Sequence, residues 1–452
     1  MNDRRLFSRR SIAAAAALAP LGAPALIRSA HAQGRTEIQF WHAMTSPLGD
    51  IVNDVVKKFN DSQSRYTVTP VFKGGYVETL TNAIAAWRAG QAPHIVQMFE
   101  VGTGSMIAAG PAIKPTHQLF AEAGMTVDVN QYLPGVRGYY SNTQGQLMSM
   151  PFNSSTAVMW YNKDAFRAAG LDPEKPPATW PEVRAAATKL AQAKATPSPM
   201  TTSWPTWIQF EQFSAIHNIP YATLANGFGG LGAELRINSP LHVRQLTTLA
   251  EMAKEGTFKY GGRNNTPDPL FTSGECAIGF GSSAGRAQIV RDAKFAWAAG
   301  LLPFYPDAIP EPINSVIGGA SLWVMTAPNR RPEEYKAAAE FFGFISRPEI
   351  DAEWHQRTGY VPITFGGYEL SKAQGFYEKN PGTDLPIHQL TRGTMTDNSK
   401  GFRLGRMVEI RSIIEEEMEK TLQGGQTPQQ AMDNAVSRGN RVLREFERQN
   451  RG

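Results

Sequence analysis

The chain has 452 residues, 42% hydrophobic and 19% charged, with a net charge of +5 at pH 7 and one cysteine. A lone cysteine excludes an internal disulfide, and a chain this long buries enough apolar surface to need none. Residues 1–32 carry five Arg and one Asp; the rest is near +1, without the basic cluster that nucleic acid requires.

The N-terminus reads as an export signal. Arg4, Arg5, Arg9 and Arg10 precede an uncharged, Ala-rich run from Ile12 to Ile27, which ends near the small-residue cleavage pattern Ala30-His31-Ala32. The run is about 16 residues, short of the roughly 20 that span a bilayer. Ser8-Arg9-Arg10-Ser11-Ile12 is similar to a twin-arginine signal; the alternative is an Sec signal with an arginine-rich start. From residue 33 onward no apolar run is long enough to span a membrane, so a soluble exported protein is expected. The roughly 420 remaining residues are too many for one core and predict two domains.

Strand and helix then alternate. Glu37–Trp41 reads as a strand, and Ser46-Pro47 starts a helix with Ile51, Val55, Val56 and Phe59 on one face. Tyr66–Phe72 is a strand, Val77, Leu80, Ile84 and Trp87 mark an amphipathic helix, and residues 94–99 form a short apolar strand. This β-α-β-α-β order predicts a parallel sheet covered by helices. Leu147–Phe152 and Thr156–Asn162 read as strands flanking a polar Asn153-Ser154-Ser155 step. Thr179-Trp-Pro-Glu182 is a capping box opening a helix. Cys276 lies in an apolar strand as a buried structural thiol. Further helices are expected near 243–255, 332–345 and 407–422, with a last one starting at Thr427-Pro428 after the Gly424-Gly425 stop. The pattern predicts two α/β lobes with a ligand cleft between them.

Several motifs carry candidate chemistry. Gly227-Phe-Gly229-Gly-Leu-Gly232 has dinucleotide-fingerprint spacing but lacks the strand before and helix after, so it reads as a flexible loop. The eight His are scattered, with no metal-ligand spacing, nucleophile elbow or Walker motif. No catalytic residue, metal or cofactor is expected. Asn153-Ser154-Ser155 is either a polar turn or a set of short donors suited to an oxyanion. Gly281-Ser282-Ser283-Ala-Gly285 and Gly318-Gly319 are further points where the backbone can approach a ligand. Trp204 and Trp207 are either core or binding-surface indoles. Arg403, between Gly401 and Gly405, is either a solvated side chain or a fork for phosphate.

Taken together, the chain resembles the periplasmic glycerol-3-phosphate-binding proteins of bacterial ABC importers, within the wider extracellular solute-binding proteins. The resemblance rests on Lys73-Gly-Gly-Tyr76, Gln97-Met-Phe-Glu-Val-Gly-Thr103, Pro151-Phe-Asn-Ser-Ser-Thr156, Tyr161-Asn-Lys-Asp164, Ile317-Gly-Gly-Ala-Ser-Leu-Trp323 and Glu353-Trp-His-Gln-Arg-Thr-Gly-Tyr360. It implies a two-lobed α/β periplasmic binding protein fold of type II, with one lobe of residues 33–153 and 319–366 and the other of 157–315 and 370–452. The chain would cross between them near 154–157, 315–319 and 366–370.

The same resemblance assigns ligand-binding roles. Tyr76 matches a ligand tyrosine, Glu100 the acceptor for glycerol hydroxyls, and Trp204 and Trp207 an indole pair beside the ligand. Ser155, Ser282, Gly319, Tyr360 and Arg403 match contacts to the phosphate end, with Ser283 one step from Ser282. The chain departs from the family at Ala284-Gly285-Arg286. The implied protein is a periplasmic monomer that takes up glycerol-3-phosphate or a glycerophosphodiester and docks on permease transmembrane subunits. The competing readings are a binder of an uncharged sugar and an exported hydrolase.

Overall fold

The computed structural model describes residues 34–451. The expected export signal lies outside the described residues. From Thr36 onward the chain forms one compact unit containing two sheets. In chain order the strands are β1 (Thr36–His42), β2 (Tyr66–Phe72), β3 (Ile95–Phe99), β4 (Ile113–Lys114), β5 (Met150–Ser155), β6 (Ala157–Asn162), β7 (Ser198–Thr202), β8 (Phe258–Lys259), β9 (Cys276–Ser282), β10 (Trp297–Gly300) and β11 (Gly318–Met325).

The first sheet runs β2-β1-β3-β11-β4, with β5 also paired to β11. β1 pairs in parallel with β2 and β3, as the opening alternation predicts, whereas β11 is antiparallel to β3, β4 and β5. The second sheet runs β10-β6-β9-β7-β8.

Alternation along the strands feeds separate cores. Ile95, Leu322 and Val324 face Phe59, Phe341 and Phe342 on one side of the first sheet. Val96, Trp323 and Met325 face the other way, into a core shared with Phe210, Leu246, Ile410, Met418 and Met432. The second sheet packs Met159, Met200 and Ile278 against Val183, Leu190 and Leu249. The C-terminal helices Met407–Leu422 and Pro428–Asn450 therefore help to cover the first sheet as well as elements of the second half of the chain.

Local signals place most elements. Thr179 and Glu182 form the capping box of the helix Trp180–Gln192, and Thr427 and Gln430 form that of the last helix. Three expectations are corrected. The stripe Val77, Ile84 and Trp87 is about 40% exposed, because the helix Tyr76–Arg88 buries Thr79 and Ala83 instead; small side chains allow closer packing. Ser46 does not cap the first helix backbone; its hydroxyl donates to the Asp50 carboxylate at 2.8 Å. Asn153-Ser154-Ser155 is not a turn: it is the end of β5, and only Thr156 separates it from β6 in the other sheet. This direct crossing holds Ser155 where the sheets meet.

The crossing dictates one glycine. Gly319 has φ +92°, and a Cβ there would lie 1.8 Å from the Asn153 carbonyl oxygen. Both facts exclude a side chain unless β5 and β11 separate. Gly319→Ala is expected to destabilise the fold by at least about 3 kcal/mol, read as a lowered urea midpoint; an unchanged midpoint would show that the strands yield freely.

Candidate functional site

A cleft of about 360 Å³ opens where the two sheets approach. Eight of the nine residues expected from sequence line it: Tyr76, Glu100, Ser155, Trp204, Trp207, Ser282, Gly319 and Tyr360. Each stands at an element boundary. Tyr76 opens a helix, and Glu100 follows β3. Ser155 and Ser282 end β5 and β9, and Gly319 begins β11. Such ends carry side chains that the ladder positions without burying them in it.

An aromatic wall forms one side. The Tyr76 ring stacks on Phe99 with centroids 5.2 Å apart and planes 7° from parallel, and lies 6.3 Å from Trp204. The Tyr76 hydroxyl accepts from Asn153 Nδ2 at 3.0 Å. Burial holds the Tyr76 phenol well above its usual range and pushes Tyr360 up to about 12, so both are neutral donors. Trp204 has φ +46°, an uncommon conformation for a bulky residue, and its amide donates to the Asn264 carbonyl at 2.6 Å. Trp207 begins a π-helical turn, Trp207–Gln212, that also carries Glu211.

The Ser155 hydroxyl has no partner among the described residues, whereas Ser282 Oγ accepts from the Ala284 amide at 3.2 Å. Ser282, not Ser283, lines the cleft; Ser283 opens onto a separate small cavity beside Arg286. Arg286 also lies outside the cleft, donating to the Gln356 carbonyl at 3.1 Å and to Asn380 Oδ1 at 2.9 Å.

Arg403 is the correction. It faces a different cavity, and its Nη2 donates to the carbonyls of Tyr139 (2.9 Å) and Ser141 (2.6 Å). The cation in the cleft is instead Arg411, one of the residues that the sequence reading missed. Its Nε and Nη2 form a fork on Glu211, both at 2.7 Å, and Nη2 also reaches Glu100 Oε1 at 2.7 Å. All three side chains are less than 10% exposed. Burial alone would lower the Arg411 pKa, but the two carboxylates outweigh it and hold it well above its ordinary value. Glu100 is shifted up, first by burial and then by Glu211, with Arg411 opposing. Arg411 Nη1 has no acceptor among the described residues and is the part of the fork left for the cleft.

A sequence signal for Arg411 did exist. Met407, Ile410, Ile414, Met418 and Thr421 form the buried face of an amphipathic helix, and Arg411 lies within that stripe. An arginine on an apolar face needs buried acids. Asp268, with Asn264, Asn265, Thr266 and Gln288, completes the cleft wall, and Asp268 Oδ1 accepts from the Ser203 hydroxyl.

The cleft thus combines a partly free guanidinium, small hydroxyl donors, carboxylate acceptors and an aromatic face, a set suited to holding a small polar molecule. Residues 54–382 match the bacterial extracellular solute-binding protein family. The chain is 47% identical over 412 residues to the sn-glycerol-3-phosphate-binding periplasmic protein UgpB of Rhizobium meliloti (strain 1021), covering 91% of this chain and 95% of that one. It is 46% identical over 424 residues to the UgpB of Yersinia pseudotuberculosis serotype I (strain IP32953), covering 94% and 96%. Its fold is that of UgpB from Mycobacterium tuberculosis in complex with glycerophosphocholine (TM-score 0.76, 22% identity, 92% of this chain and 100% of that one). It is also that of the cyclic alpha-maltosyl-1,6-maltose binding protein from Arthrobacter globiformis (TM-score 0.71, 21% identity, 91% and 100%). The chain belongs to the bacterial extracellular solute-binding protein family.

Proposed function

We propose that this protein is the periplasmic binding component of an ABC importer and captures glycerol-3-phosphate or a glycerophosphodiester for delivery to the permease transmembrane subunits. The observation that carries this reading is Arg411, whose guanidinium reaches the cleft with Nη1 uncommitted. A charged donor held by two buried acids is already oriented before ligand arrives, and an uncharged sugar would not need it. The sn-glycerol-3-phosphate-binding relatives at 46–47% identity support the same ligand class.

In this reading the phosphate meets Arg411 Nη1, the Ser155 and Ser282 hydroxyls, the Tyr360 phenol and the Gly319 amide. Charge-assisted bonds of this kind contribute roughly 1.5–3 kcal/mol each. Glu100 accepts from the glycerol hydroxyls, and the Arg411 cation it bonds at 2.7 Å offsets its repulsion of a nearby anion. Tyr76, Trp204 and Trp207 cover the carbon skeleton. The two sheets are the cores of two lobes, residues 33–153 with 319–366 and 157–315 with 370–452, that close over the ligand about the crossings at 154–157, 315–319 and 366–370. The crossing from β5 to β6 over a single residue supports this division. Residues 1–32 direct export by the twin-arginine or Sec route.

Titration calorimetry on the chain from residue 33 tests the reading. One-site binding of glycerol-3-phosphate is expected, with none of maltose. Arg411→Lys keeps the charge but loses the fork, and should weaken binding at least about tenfold; unchanged affinity would remove Arg411 from ligand recognition.

Asp268 gives the cleft a pH dependence. Burial pushes its carboxyl up to about 6, against the hydrogen bond from Ser203. Between about pH 4 and 6 the folded state therefore holds a proton that the unfolded chain has lost, and this group's contribution to stability falls as pH rises, by on the order of 2–3 kcal/mol. Asp268→Asn abolishes that slope, so the variant should gain on the parent between about pH 4 and about pH 7. Urea denaturation at both values measures the difference, and a pH-independent gap would mean that Asp268 titrates normally.

A further inference from the structure

Two motifs singled out in the sequence have no part in the cleft, and the fold brings them together. The glycine loop 227–232 and Arg403 line a second cavity of about 390 Å³, comparable in size with the cleft. Its walls are mostly apolar, with Ile107, Leu231, Leu404, Leu443 and Phe446 facing it.

The loop is held by its own backbone. Leu224, Ala225 and Asn226 all have φ near +53° to +55°, locked by Asn226 Oδ1, which accepts from the amides of Tyr221 (3.1 Å) and Ala222 (2.9 Å). The Arg403 amide donates to the Asn226 carbonyl at 2.9 Å. A Cβ on Gly227 would lie 2.5 Å from the Arg403 carbonyl oxygen, so glycine is what lets the two segments touch. Among the described residues no acceptor meets the amides of Leu231 and Gly232.

The charges are unbalanced. The Arg403 guanidinium lies over the Phe228 ring, 4.2 Å from its centroid, and its polar partners are two neutral carbonyls. No carboxylate pairs with it among the described residues, and Nε is buried without a partner. Glu447, the one acid in the cavity wall, is already paired with Arg444 at 3.2 Å and with Arg451. A half-desolvated cation without a counter-ion, free amides and an apolar chamber are complementary to a molecule with one anionic end and one apolar end.

We propose that this cavity is a second ligand site, distinct from the cleft, for a small organic carboxylate with an aromatic or branched aliphatic body. The carboxylate meets Arg403 and the loop amides, and the body packs between Leu231 and Phe446. The ligand would touch both the helix Thr103–Ala108 and the C-terminal helix, so its binding would tie the first half of the chain to the last.

Fluorine NMR with 4-fluorobenzoate on the chain from residue 33, with glycerol-3-phosphate present throughout, tests this. Saturable one-site binding is expected, weakened about tenfold by Arg403→Leu. Leu231 is 44% exposed, so Leu231→Asp should fold normally and still abolish binding by adding a negative charge to the wall. Absence of saturable binding, equal binding by both variants and the parent, or equal binding of 4-fluorobenzyl alcohol or inorganic phosphate would each overturn the proposal.

Discussion

The buried contact among Arg411, Glu100 and Glu211 is the constraint on which the rest of the site depends. It joins the end of β3, the π-helical turn after Trp204 and the helix Met407–Leu422, three segments far apart in sequence. Breaking such a set by removing one partner leaves an uncompensated buried charge at a cost of about 3–5 kcal/mol. The three segments are therefore held in one arrangement, and the cleft inherits a cation whose direction is set by groups other than the ligand. Two acids around one arginine leave the cluster with an excess negative charge, which accords with the upward shift of Glu100.

Around that cluster the backbone supplies the shape. The chain passes from β5 to β6 without a loop, so Ser155 stands at the boundary of the two sheets, and Gly319 allows β11 to lie against Asn153. The aromatic wall comes from the same places: Phe99 immediately precedes Glu100, and Tyr76 stacks on it. Polar anchors and apolar cover thus arise from adjacent residues, and displacing one displaces the other.

The two cavities differ in how their charges are met. In the cleft, the arginine is bracketed by acids and presents one free edge. In the second cavity, the arginine is bracketed by carbonyls and an aromatic ring and has no counter-ion among the described residues. The same side chain is charge-paired in one place and bracketed by neutral groups in the other.

The sequence by itself determined the local elements, because their signals are local. The Thr179–Glu182 and Thr427–Gln430 caps, the stripe of the first helix and the alternation of β1 through β3 all reside in a few neighbouring residues. Family motifs also placed Tyr76, Glu100, Ser155, Ser282, Gly319 and Tyr360 at element ends that converge on one cleft. Only the tertiary structure decided between the two arginines. Arg403 has the glycines of a ligand loop, and Arg411 looks like an interruption in an apolar helix face; which of them meets acids depends on Glu100 and Glu211, 311 and 200 residues away in the chain. The outward turn of Val77, Ile84 and Trp87 was hidden for the same reason. Periodicity reports that a helix has two faces, and only the packing partner selects the face that is buried.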